Sequence, residues 1–130
     1  MKTKNTQLKN LNLEPLAIAK YFYERGVNND IAIIHRLVYL TYLEVLKKEN
    51  TLLFTEEWQA QPGGPILKTI AQQMWEYFDK YGDCQKLFAK VKPIEQKNIL
   101  PYLESMYQRY KIYAKEEDQY KLFEETQTKP

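Results

Sequence analysis

Few side chains in this sequence are equipped for chemistry. The sole histidine, His35, lies between Ile34 and Arg36 in an apolar stretch. A nucleophile, a base and an orienting acid would have to be assembled around a ring half enclosed by packing, so a structural histidine is expected. The one cysteine, Cys84, follows Asp83 with no histidine near it in sequence. A thiol becomes reactive where a cation or dipole lowers its pKa, and none is evident here, so Cys84 reads as an inert thiol. One cysteine and one histidine also fall short of any zinc pattern and exclude an internal disulfide. Glu56 and Glu57 are adjacent in a segment with strand-like alternation, which aims them at opposite faces and prevents an acid/base pair. They are expected in a solvated turn. Pro62, Gly63, Gly64 and Pro65 lack the Lys-Ser/Thr ending of a phosphate loop, and the prolines remove N–H donors, so this run reads as a corner. The expectation is a protein with no catalytic residues, no cofactor and no metal.

The composition is that of one soluble domain: 130 residues, 44% apolar, with 19 basic and 17 acidic groups for a net charge of +2. A chain of this length buries enough surface to fold without metal or disulfide support. Residues 1–65 and 66–130 each carry a net charge of +1, so no half is built to grip a phosphate backbone, and the isoelectric point of about 8.5 points the same way. No helix offers the basic, polar surface of a major-groove reader. Nucleic acid is therefore not an expected partner. No apolar run reaches the length of a membrane span, and the polar N-terminus does not resemble a signal peptide; a cytoplasmic location without membrane contact is expected. The unusual figure is the aromatic content, with 11 Tyr, 5 Phe and 2 Trp. Such rings fill cores and also anchor protein interfaces.

The punctuation along the chain is helical. Glu14 and Pro15 suit a first turn, and Gly26 a stop, around the apolar set Leu16, Ile18, Ala19, Phe22 and Tyr23. Asn29 or Asp30 caps a second helix whose apolar positions, from Ile31 to Val45, recur at helical spacing and are wide enough for a central helix packed on several sides. Lys47, Lys48 and Asn50 close it. Residues 51–65 alternate like a strand at Leu52, Phe54, Trp58 and Ala60, which predicts a hairpin lying on the helices. A third helix runs from Pro65 to Gly82, with Ile66, Leu67, Ile70, Met74, Trp75, Tyr77 and Phe78 as its apolar set. A looser stretch reaches Lys92, Ile94–Leu100 is either a turn or part of a kinked helix, and a strongly helical segment follows Pro101. A short amphipathic piece around Tyr120, Leu122 and Phe123 is expected to dock on the bundle. The fold class is thus mainly α, a single compact bundle of five or six helices with one short two-stranded β-hairpin inserted between helices two and three. Flexible tails are expected at 1–12 and 124–130, flanking a helical domain over 13–123.

The order of parts between Asp30 and Ile66 resembles the Panacea domain, also known as the SocA-like antitoxin domain and related to phage-associated proteins. That family has a helix with a Leu-x-Lys-Leu-x-Tyr pattern, a small hairpin ending in Ala-Trp, and Gly-Pro-Val before the next helix. Here Ile34, Arg36, Leu37 and Tyr39 match the first pattern. Trp58 and Ala60 stand in the hairpin, and Gly64, Pro65 and Ile66 match the last. Gln61 replaces the tryptophan after Ala60, Arg36 replaces lysine, and no tyrosine follows Ile66 at the family's spacing. The resemblance covers Leu16 to about Ile70.

This resemblance implies a helical cytoplasmic protein that neutralises a toxin encoded beside it by direct binding, in one branch as an adaptor delivering the toxin to an AAA+ protease. It transfers no catalytic residues. The motif residues are expected either to build the scaffold or to face the partner, and Tyr102, Tyr113 and Tyr120 are candidate partner-binding aromatics in the tyrosine-rich C-terminal part. An alternative expectation is a phage or mobile-element protein that inhibits a different host target, such as a defence nuclease; a DNA-binding regulator is a weaker one. The sequence does not specify a homo-oligomeric state.

Overall fold

The computed structural model describes residues 8–27, 30–62 and 64–115, with side chains to residue 112. Five helices and two short strands follow in order: β1 (Lys9–Asn10), α1 (Pro15–Tyr23), α2 (Ile31–Glu49), β2 (Thr51–Leu52), α3 (Lys68–Tyr81), α4 (Gln85–Ala89) and α5 (Leu100–Lys115). The fold is mainly α, as the periodicity predicts.

α2 is the axis of the molecule. Asp30 opens it by accepting from the backbone N–H groups of Ala32 and Ile33 at 2.9 and 3.2 Å, which satisfies two of the donors a helix start leaves orphaned. Asn50 closes it in the left-handed conformation at φ 51°, a position asparagine tolerates. Between these ends Ile34, Leu37, Val38 and Val45 have no solvent exposure, and α1, α3, α5 and β2 all pack on α2. α1 lays Ile18, Ala19 and Phe22 into the same core. It ends as expected: the Val27 N–H returns to the Phe22 carbonyl at 3.1 Å across Gly26, whose φ of +102° favours a residue without Cβ. The Lys20 ammonium is buried and donates to the carbonyls of Phe88 and Val91 at 2.8 and 2.5 Å, tying α1 to the end of α4.

Four expectations are corrected. The β structure is a parallel pair, Lys9 with Thr51 and Asn10 with Leu52, not a hairpin within 51–65. Phe54 and Trp58 are drawn onto α2, and the only antiparallel contact in that segment among the described residues is the Gln59–Ile66 bridge, with both N–H···O distances 2.9 Å. Residues 8–12 are consequently not a loose tail. The Leu11 and Leu13 N–H groups donate to the Leu52 and Leu53 carbonyls at 2.9 and 2.8 Å, satisfying backbone groups that would otherwise line an open strand edge. α3 begins at Lys68 rather than Pro65, because the bridge holds Ile66 extended. Glu56, expected in a solvated turn, instead accepts from the Thr69 N–H at 3.1 Å and serves as the helix's cap from a distance.

The stretch after Gly82 contains the short α4, and residues 94–99 are irregular chain ending in a turn at 97–99 rather than a kinked helix, with α5 starting at Leu100. The piece around Tyr120, Leu122 and Phe123, the C-terminal tail from 124 and residues 1–7 lie outside the described residues.

Candidate functional site

Ile34, Arg36, Leu37, Gly64, Pro65 and Ile66 divide between the core and the corner that lies on it. Ile34 and Leu37 face inward with no exposure, and Arg36, three residues before Tyr39 on α2, is 3% exposed. Its guanidinium lies beneath the corner: a Cβ on Gly64 would stand 3.6 Å from the Arg36 Nε and Nη2 atoms. Gly64 has φ +120°, so a residue with a side chain is strained there whatever the space. Burial lowers the Arg36 pKa, and the negative charge of Asp30 acts against that shift. Pro65 and Ile66 are half-buried, and Ala60 is exposed.

Above the same helix, four rings close together. Tyr39 meets Trp58 edge-on at 4.8 Å between centroids, Tyr42 meets Trp58 at 5.7 Å and Phe54 at 5.0 Å, and Phe54 meets Trp58 at 5.9 Å. Such pairs stabilise beyond what the area they bury would give. The Trp58 indole Nε1 is buried with no hydrogen-bond partner among the described residues. Arg36, Tyr39, Trp58 and Gly64 are therefore brought to one side of α2, where they fasten the connection between α2 and α3.

Of the three candidate partner-binding tyrosines, Tyr102 is half-buried and donates to Glu49 Oε2 at 2.6 Å; that bond, then burial, raises its pKa. It joins α5 to the end of α2. The Tyr113 side chain and all of Tyr120 lie outside the described residues.

The solvent-facing aromatics are elsewhere, at residues that the periodicity assigns to the core. Trp75 is 57% exposed and Phe78 48% exposed, with their rings edge-on at 6.2 Å. Tyr81 follows in the same helix at 41%. The helical wheel carries the missed signal: at about 100° per residue, Trp75 lies a quarter turn or more from Ile70 and Met74, the two buried side chains of α3. Phe78 lines a cleft of about 820 Å³ between the ends of α1 and α3 and the helix α4, together with Tyr23, Glu24, Asp83 and Phe88. Tyr23 and Phe88 pack at 4.7 Å between centroids, and burial raises the Tyr23 pKa.

The sole histidine and the sole cysteine are both enclosed. His35 is 2% exposed, its Nδ1 3.1 Å from the Ile31 carbonyl and its Nε2 3.3 Å from the Leu67 carbonyl; burial lowers its pKa. Cys84 donates its thiol to the Met74 carbonyl at 3.3 Å, and burial pushes its pKa up, away from the thiolate. Among the described residues no three His, Cys, Asp or Glu side chains gather to hold a metal ion, and no helix is long and apolar enough to cross a membrane. No family model, no curated protein and no solved structure matches the chain.

Proposed function

We propose that this protein is a non-catalytic binding module, an antitoxin that neutralises a toxin encoded beside it by direct contact. The observation that carries the reading is the exposure of Trp75 and Phe78 on a helix whose other face is seated in the core. Large rings standing side by side in water are unfavourable for a monomer and are what a partner's surface covers. The likeness of Arg36, Tyr39, Gly64, Pro65 and Ile66 to the Panacea motif supplies the antitoxin part of the reading. In it, the motif residues build the scaffold and the end of α3 meets the partner.

The test is co-expression with the adjacent open reading frame. Rescue of growth from a toxic neighbour, together with a stoichiometric complex on purification, is the expected result. A harmless neighbour that does not co-purify overturns the antitoxin reading.

A further inference from the structure

The cleft beside Phe78 differs in charge from two other clefts among the described residues, which are lined by Lys20 and Arg25 and by Lys90 and Lys92. Glu24, at the end of α1, and Asp83, between α3 and α4, stand in its lining, and no lysine or arginine does, on a chain with a net charge of +2. Glu24 is exposed, and among the described residues it pairs with Lys20, whose ammonium is 3.7 Å away and already donates to the Phe88 and Val91 carbonyls. Asp83 uses Oδ1 to accept from the Gln85 N–H at 3.0 Å. Arg25, the nearest cation in sequence, is turned onto Tyr21, its Cζ 3.5 Å from the ring centroid. The rings of Tyr23, Phe78 and Phe88 line the same cleft, Phe78 the most exposed of them at 48% and Phe88 closed off at 1%. Two carboxylates and an exposed ring lining one cleft are complementary to one side chain above all: a guanidinium, which is flat enough to stack on a ring and has donors in a fork for carboxylates.

We infer that this cleft receives an arginine side chain of the partner protein, its guanidinium stacked on the exposed ring and paired with Glu24 and Asp83. The inference rests on the proposed protein-binding function and names where on the molecule the partner sits and what it presents. A volume of about 820 Å³ is that of a site for a small molecule or a short chain segment, not for a single side chain. The residues beside the arginine therefore lie on the exposed rings of Phe78 and Trp75, so that apolar contact there supplies affinity and the carboxylates supply selectivity.

The experiment titrates the full chain with a capped pentapeptide bearing one central arginine between leucines, and with its citrulline counterpart, which keeps the shape and loses the charge. Heteronuclear NMR is expected to show saturable shifts at the Gly82, Asp83 and Gln85 amides and the Trp75 indole. Affinity should fall at least tenfold for citrulline, and equally for the Glu24→Gln/Asp83→Asn double variant. A melting curve superposable on the parent's verifies that variant's fold, and Phe78→Ala provides an independent loss of binding. No saturable shift, shifts confined to another surface, or equal binding of arginine and citrulline overturns the inference. So does a dimer in sedimentation that the double variant dissolves, which would place a second copy in the cleft. A toxin complex that forms undiminished with the double variant also overturns it while leaving the antitoxin reading standing. Where no such complex exists, the peptide titration still decides the cleft.

Discussion

Tyr39, Tyr42, Phe54 and Trp58 close over α2 with ring centroids within 5.9 Å along the chain of contacts, while Trp75 and Phe78 touch each other at 6.2 Å and stand largely in water. Residue type does not separate the two groups. What separates them is covering: residues 53–58 have a helix to lie on, whereas no described element lies over the outer flank of α3. A ring with neighbours on all sides stabilises the fold, and a ring with water on one side holds that contact energy in reserve for a partner.

The contrast can be broken from its buried end first. Phe54→Ala is expected to destabilise the protein by about 3–5 kcal/mol, the cost of removing a buried ring and leaving a cavity; a urea midpoint near the parent's would mean that the inner cluster carries no load. Next comes the corner over Arg36. Gly64→Ala should cost about 1–3 kcal/mol, because alanine is strained at the positive φ there even though its methyl group finds room. Equal stability in chemical denaturation would show that the corner relaxes freely.

A smaller effect probes the floor beneath, where His35 bridges α2 and the Leu67 carbonyl that precedes α3. Its folded pKa is lowered from 6.5 by burial, so above pH 6.5 the ring is neutral in both states and its contribution is complete. As pH falls through that value towards the folded pKa, the unfolded chain takes a proton that the folded chain refuses, and stability is lost. Unfolding midpoints measured from pH 7.5 to 5 should decline, and His35→Gln should flatten the decline; an unchanged slope would assign it to other groups. The smallest expected effect is the most telling for function. Trp75→Ala should alter stability by no more than about 0.5 kcal/mol while weakening the complex with the partner, and a large loss of stability would move Trp75 into the scaffold.

The sequence was most legible where local physics decides. The cap at Asp30, the apolar repeat through Val45 and the stop at Asn50 define α2 without reference to anything outside it, and Gly82 ends α3 for the same reason. Features set by distant chain segments were not legible. Alternation at Leu52 and Phe54 marks an extended segment but does not say that its partner is Lys9–Asn10 rather than its own continuation. Nor can any local pattern show Glu56 capping a helix that starts twelve residues later. The candidate site divides in the same way. The corner at Gly64 follows from local turn chemistry and is seen at φ +120°, whereas the exposure of Trp75 depends on which flank of α3 the other helices leave bare.

The pairing of β1 with β2 has a bearing on how the chain reaches this fold. Its partners are about forty residues apart, so their loop closes at an entropic cost that four residues of strand do not offset. α1 and α2 must dock before the strands meet. The pairing is then a late event in folding and an early one in opening. The Leu11 and Leu13 amides, bonded to Leu52 and Leu53, should exchange with solvent deuterium well before those in the middle of α2.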